Sequence, residues 1–252
     1  MMTNTASLIF HGSIRDLLNT VSCNRAGSVC YQFEEQPSIK DAIESLGPPH
    51  TEIIAITVND IAVGFDYLLR NNDKVEVFAF DGNPTVAQQD QLPNLPNGIP
   101  RFILDVHLGG LARYLRFAGF DTLYSSMDPG DQSIAYVSKH ENRIAVSRDI
   151  GLLKRSIIQY GYWIRHTQVQ NQFSEIAKRY KLMAYANPFS RCTLCNGLID
   201  QVEKHAVINE LPPRVGEQFN EFWRCSQCQQ IYWKGLHYLK IKKCIDDLLI
   251  EK

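Results

Sequence analysis

Along the first eighty residues, short apolar runs alternate with polar breaks at intervals that leave room for one main helix. Ser7-Leu-Ile-Phe10 and Val29-Cys-Tyr-Gln-Phe33 read as short strands. The stretch Ser38 to Gly47 opens on a capping residue, sets Ile39, Ala42, Ile43 and Leu46 on one face and stops at a glycine, which predicts a helix. Ile53-Ile-Ala-Ile-Thr-Val58, a turn at Asn59-Asp60 and the run from Asn72 to Phe80 supply the later strands. One helix crossing a small mixed sheet is the expected result.

Residues 84–100 break this pattern, with Pro84, Pro93, Pro96 and Pro100 set among Gln, Asn and Asp, and read as a linker. From Arg101 the periodicity changes to alternation. Strands are expected at 101–105, 121–125, 143–147 and 162–165, and helices at 108–118, 132–139, 150–159 and 170–180. Repeated β–α alternation predicts a mostly parallel sheet covered by helices. The chain therefore divides into 1–83, the linker 84–100, an α/β segment 101–187 and a C-terminal segment 188–252.

That last segment holds Cys192/Cys195 and Cys225/Cys228, two Cys-x-x-Cys pairs in similar surroundings. Such pairs let four thiolates close a tetrahedral zinc site, the structural arrangement that leaves no position open for chemistry. A redox dithiol or a disulfide pair is the alternative. Cys23, Cys30 and Cys244 lack ligand spacing and read as reduced thiols.

The 252 residues are 44% hydrophobic, enough for real cores, and no apolar run is long enough to span a bilayer. The first residues lack the pattern of a signal peptide, so the expectation is a soluble cytoplasmic protein without a membrane span. The net charge of −1 conceals a division: residues 1–100 carry 5 Lys/Arg against 12 Asp/Glu, whereas residues 101–190 carry 12 against 7. A basic segment beside an acidic one is compatible with a polyanionic ligand on the former, although a solvated charged surface is the commoner cause.

In open α/β sheets, ligands gather beyond the carboxyl ends of strands. Asp105, Asp131 and Asp149 fall at such junctions and are the candidate ligands of catalytic Mg²⁺ or Mn²⁺ in a nuclease. Each is equally placed to cap a helix. Arg113 and Arg116 are three apart on the helix expected from 108, and Arg148 adjoins Asp149. All three are candidate phosphate ligands, and Lys154 and Arg155 follow closely. Trp223, Arg224, Tyr232, Trp233, Lys234, His237 and Lys240 interleave aromatics with bases, as single-strand binders do, although such aromatics more often fill a small core.

The first segment resembles a β-grasp, or ubiquitin-like, domain of the sulfur-carrier branch. It lacks the terminal Gly-Gly, running instead into Asp81-Gly-Asn-Pro84, which argues against carrier chemistry. The strings Phe102-Ile-Leu-Asp105, Leu111-Ala-Arg-Tyr-Leu-Arg116, Ser147-Arg-Asp149, Ser190-Arg-Cys-Thr-Leu-Cys-Asn-Gly197 and Phe222-Trp-Arg-Cys-Ser-Gln-Cys228 resemble the PIN-like RNase family named for the C-terminal domain of the Mut-7 exonuclease. The resemblance spans nearly the whole chain. It implies a metal-dependent ribonuclease that hydrolyses RNA phosphodiesters, with Asp105, Asp131 and Asp149 as its acidic set, a PIN-like sheet, structural Zn²⁺ in a ribbon and a ubiquitin-like domain that can contact a protein partner. His107 stands where an apolar residue is usual, and the acids near Asp131 are thinned to Asp128 and Asp131. The alternative reading is therefore an RNA-binding module of weak or no activity, using the basic face and the ribbon. A third reading makes the β-grasp domain a docking module for a sulfur-transfer or modification enzyme.

Overall fold

A computed structural model of the chain describes residues 3–19, 28–85, 92 and 96–250. The proline-rich stretch expected as a linker lies largely outside these residues, as does Cys23. In chain order the strands are β1 (Asn4–His11), β2 (Ser28–Phe33), β3 (Ala55–Val58), β4 (Ile61–Ala62), β5 (Lys74–Phe78), β6 (Phe102–Leu104), β7 (Thr122–Tyr124), β8 (Ile144–Ser147), β9 (Gly161–Trp163), β10 (Ile199–Val202), β11 (Phe222–Cys225) and β12 (Ile231–Tyr232). The α-helices are α1 (Ile39–Ser45), α2 (Gly109–Phe117), α3 (Asp131–Glu141), α4 (Ile150–Leu153), α5 (Val169–Arg179), α6 (Pro213–Gln218) and α7 (Leu236–Ile250). Two compact units form: Met1–Pro96 with Asp131–Trp163, and Asn97–Gly130 with Ile164–Lys252.

In the first unit, β2-β1-β5-β3-β4 make one mixed sheet in which β1 runs parallel to β5 and every other neighbour is antiparallel. This is the expected β-grasp. Alternate residues Ala6, Leu8 and Phe10 turn inward to meet Ile39, Ala42 and Ile43 of α1 in one buried cluster, the period-2 and period-3.6 patterns meeting face to face. Ser38 caps α1, its hydroxyl accepting from the Asp41 amide at 3.1 Å. Asn59 and Asp60 both take left-handed φ (49° and 68°), which suits the tight two-residue link between β3 and β4. The buried Asp73 carboxylate accepts from the Tyr67 hydroxyl, the Arg70 amide and the Asn59 amide group, and so pins two turns at once.

The same unit contains α3, β8, α4 and β9. β8 and β9 run parallel, and Ile144 to Ser147 are wholly buried. Here the helix expected over 150–159 is shorter, ending at Leu153. Leu152, Leu153 and Ile158 all bury, and the consecutive β-branched Ile157-Ile158 favour leaving the helix before β9. The β-grasp sheet and this segment share specific polar contacts. The buried His50 ring meets Glu44 Oε1 through Nδ1 and the Ile158 carbonyl through Nε2, both at 2.7 Å. Lys154 Nζ donates to the Glu44 carbonyl, and the Trp163 amide donates to Glu52 Oε1 at 2.7 Å.

In the second unit β6 and β7 pair in parallel, with α2 between them in sequence. Leu111, Ala112 and Leu115 are buried, and Tyr114 of α2 meets Phe173 of α5 with ring centres 5.8 Å apart. A Cβ on Gly110 would lie 2.6 Å from Val169, so only glycine admits this approach without displacing that side chain. The C-terminal portion, expected as ribbon over 188–252, is an antiparallel sheet β10-β11-β12 followed by a separate helix, α7. Among the described residues no helix is long and apolar enough to cross a membrane.

Candidate functional site

The four paired cysteines come together. Their Sγ atoms all lie within 4.8 Å of one another, with Cys192 to Cys228 at 3.5 Å and Cys195 to Cys225 at 3.4 Å. Four sulfurs at about 2.3 Å from a central ion would be separated by about 3.8 Å, a spacing that falls within the range this cluster spans. Two near-identical turns build it. In each, the amide of the first cysteine donates across the turn, Cys192 to the Gly197 carbonyl and Cys225 to that of Gln230. The residue four places on, Asn196 or Gln229, takes left-handed φ and donates back to the cysteine carbonyl. The amides of Cys195 and Gly197, and of Gln227 and Cys228, point at sulfur at 3.4 to 3.5 Å. These are donors that favour thiolate, and the donor set fits a soft tetrahedral metal ion.

The electrostatics of the thiols point the same way. Burial alone would raise Cys192, but the Tyr232 hydroxyl at 3.0 Å and the surrounding backbone amides outweigh it and bring it down to about 7. Burial, with the neighbouring cysteines adding to it, pushes Cys228 up to about 12. Tyr232 is itself raised, first by burial and then by its bond to Cys192. Four thiols packed this closely cannot all ionise unaided, and a dication is what makes the fully deprotonated set favourable.

The cluster is tied to the rest of its unit by residues outside the Cys-x-x-Cys pairs. Arg116, expected on an exposed phosphate-binding face, is instead 4% exposed. Its Nε donates to the Thr122 carbonyl at 2.9 Å, and Nη1 donates to the carbonyls of Thr193 at 3.2 Å and Leu194 at 2.7 Å, inside the first cysteine turn. Burial lowers its guanidinium from the ordinary arginine value, with the Cys192 and Cys195 sulfurs opposing. Asn196 bridges in parallel, accepting from the Thr122 amide at 3.0 Å and donating to Asp121 at 2.7 Å. Spacing alone had paired Arg116 with Arg113. The burial of a full turn of α2, Tyr114 to Phe117, is what separates them.

The acidic residues are placed individually. Asp105 follows β6 in the second unit and is buried, its Oδ1 accepting from the His107 amide at 2.9 Å as the cap of a 3-10 helix; His107 is exposed. Asp149 follows β8 in the first unit and is exposed. Its Oδ1 accepts from the Gly151 amide at 2.7 Å to cap α4, while its own amide donates to Ser147 Oγ. Asp131 begins α3 and meets Arg155 at 3.4 Å across two half-exposed side chains. Capping, the structural reading of these acids, thus holds for Asp105 and Asp149. Arg113 and Arg148 are exposed, and the Arg148 carbonyl accepts from the Trp163 indole at 3.1 Å. Trp223 and Trp233 are half-buried and pack in the ribbon's two small cores. Among the described residues the four cysteines are the one set of three or more His, Cys, Asp or Glu side chains gathered closely enough to hold an ion.

Comparison with known proteins yields two family models. One, described as the Mut7-C RNAse domain, matches residues 100–245, and the other, described as Mut7-C ubiquitin, matches residues 3–83. No curated protein and no solved structure matches.

Proposed function

Since the chain belongs to the Mut7-C RNAse domain family and carries that family's ubiquitin-like domain in front, we propose that it is a metal-dependent ribonuclease that hydrolyses RNA phosphodiester bonds. The family match over 100–245 is the observation that carries the reading. In this proposal Asp105, Asp131 and Asp149 hold Mg²⁺ or Mn²⁺, and Cys192, Cys195, Cys225 and Cys228 hold a structural Zn²⁺. Hard carboxylate oxygens and soft thiolates divide the two kinds of ion between them. When bound, the hard ion supplies an activated water and neutralises charge at the phosphate.

The side chains do the rest. Asp105 and Asp149 each follow the carboxyl end of a parallel strand, where ligands of α/β sheets bind. The amides of His107 and Gly151 hold one oxygen of each carboxylate in place. Arg113 and Arg148, exposed and basic, take phosphate oxygens by charge-assisted hydrogen bonds. Arg155 holds Asp131 until a stronger cation competes for the carboxylate. The ubiquitin-like domain offers a surface for a protein partner.

The test is cleavage of mixed single-stranded and structured RNA by the full chain with Mn²⁺, with Mg²⁺ and with neither, beside the Asp105→Asn/Asp149→Asn double variant. Metal-dependent cleavage that falls by at least about a hundredfold in the variant is expected. Equal cleavage by the variant would remove these acids from the mechanism. Salt-sensitive RNA binding without cleavage would leave the chain as a binding module instead.

A further inference from the structure

Two cavities of about 260 Å³ each open side by side in the second unit and share the exposed ring of His237. The first is walled by Phe117, Phe189, Tyr232, Trp233 and Tyr238. Three of these rings pack on one another, Tyr238 edge to face with Phe117 at 5.4 Å between centres and with Phe189 at 4.9 Å. The second is lined by Arg113, Tyr114, His237 and Lys240. Among the described residues no acidic one lines either cavity. Arg113, His237 and Lys240 are exposed, and among the described residues none has a carboxylate partner.

A slot walled by aromatic rings beside three basic side chains matches a ligand that is flat and apolar at one end and anionic at the other. Phe189 strengthens the point. It holds a left-handed φ of 65°, a conformation that a bulky side chain rarely adopts, while its amide donates to the Phe117 carbonyl at 2.7 Å. Such backbone outliers persist where surrounding structure enforces them and concentrate at binding sites. Here the outlier sets an aromatic ring among those that wall the slot.

We propose that these adjoining cavities form a nucleotide subsite for single-stranded RNA, in which an unstacked base enters the aromatic slot against the His237 ring that both cavities share, and its phosphate lies against Arg113 and Lys240. The inference rests on the ribonuclease reading and deepens it, because it says where the ribbon and α2 hold substrate. Single-strand binders use this combination: stacking accepts any base, and the cations follow the backbone. The subsite therefore selects unpaired RNA and is indifferent to sequence.

The experiment is binding, not cleavage. The zinc-loaded full chain, without added Mg²⁺ or Mn²⁺, is titrated against fluorescein-labelled ten-nucleotide oligoadenylate and an abasic ribose-phosphate oligomer of the same length, read by anisotropy. Oligoadenylate is expected to bind more tightly than the abasic oligomer. Tyr238→Leu and His237→Ala are expected to weaken oligoadenylate by about 5- to 150-fold and to erase most of its advantage. Arg113→Glu and Lys240→Glu should weaken both oligomers alike. His237 is exposed, so His237→Ala carries the test if Tyr238→Leu lowers the melting temperature. Oligoadenylate binding unchanged in His237→Ala and Lys240→Glu, or equal affinity for the abasic oligomer, would overturn the subsite while leaving the ribonuclease reading intact. No binding of either oligomer by the unaltered chain would overturn the subsite, and cleavage with Mn²⁺ or Mg²⁺ then decides the ribonuclease reading separately.

Discussion

The cysteine cluster and the acidic residues are both candidate cation sites, yet they are built in opposite ways. Each cysteine belongs to a turn whose amides already point at sulfur, and the turn is held in its unit by Arg116, Asn196 and Tyr232. Ligands, supporting hydrogen bonds and compensating charge are all present. Asp105 and Asp149 instead have one oxygen each engaged by a local backbone amide, in a role any helix start can require, and Asp131 faces an arginine. A structural metal site must be assembled to complete the fold, so its scaffold is visible in the folded chain. Carboxylates that serve a reaction also have to satisfy the helix ends on which they sit, and their structural duty is the part that shows first.

If this contrast is right, the cysteine site should be far less tolerant. Cys225→Ser is expected to lose bound zinc and on the order of 5 kcal/mol or more of ribbon stability, because metal binding and folding are one process in such a site. Zinc content by atomic spectroscopy and protease cutting within 188–235 measure it. A variant that stays zinc-loaded and protease-resistant would break the comparison. Arg116→Met should come next. It leaves the carbonyls of Thr122, Thr193 and Leu194 without their donor, at a cost of about 3 kcal/mol in thermal or denaturant unfolding. Arg116→Lys should recover part of that, since an ammonium reaches some of these carbonyls but lacks the planar fork that serves all three. A loss confined to RNA binding, with unchanged stability, would instead return Arg116 to the substrate face.

Arg116 also marks the limit of reading from sequence. The cysteine pairs, the β-grasp helix from Ser38 and the β–α alternation after 101 are local patterns, set by turn chemistry and periodicity within a few residues, and they were legible. The three carbonyls that meet Arg116 come from two segments more than seventy residues apart, and helical spacing carries no trace of that. The same holds for His50, whose partners are Glu44 nearby and Ile158 far along the chain. Only the fold assigns Lys154 and the Trp163 amide to the Glu44 carbonyl and the Glu52 carboxylate. Glu52→Ala should consequently remove the carboxylate that accepts from the Trp163 amide and cost about 1–3 kcal/mol, readable by denaturant unfolding. An unchanged midpoint would mean that water replaces the carboxylate.

The smallest effect separates the two duties of an acid. Asn caps a helix about as well as Asp, so Asp149→Asn should leave stability within about 0.5 kcal/mol of the parent, whereas Asp149→Ala loses the Gly151 bond and about 1 kcal/mol. A hard divalent ion does not accept an amide oxygen in place of a carboxylate without a large loss of affinity. Asp149→Asn should therefore be nearly as defective in cleavage as Asp149→Ala while melting like the parent. That pattern would show the carboxylate serving both the helix and the ion. If Asn restores cleavage along with stability, the cap is the whole role of Asp149, and the contrast with the cysteine site becomes one between a metal site and an ordinary helix start.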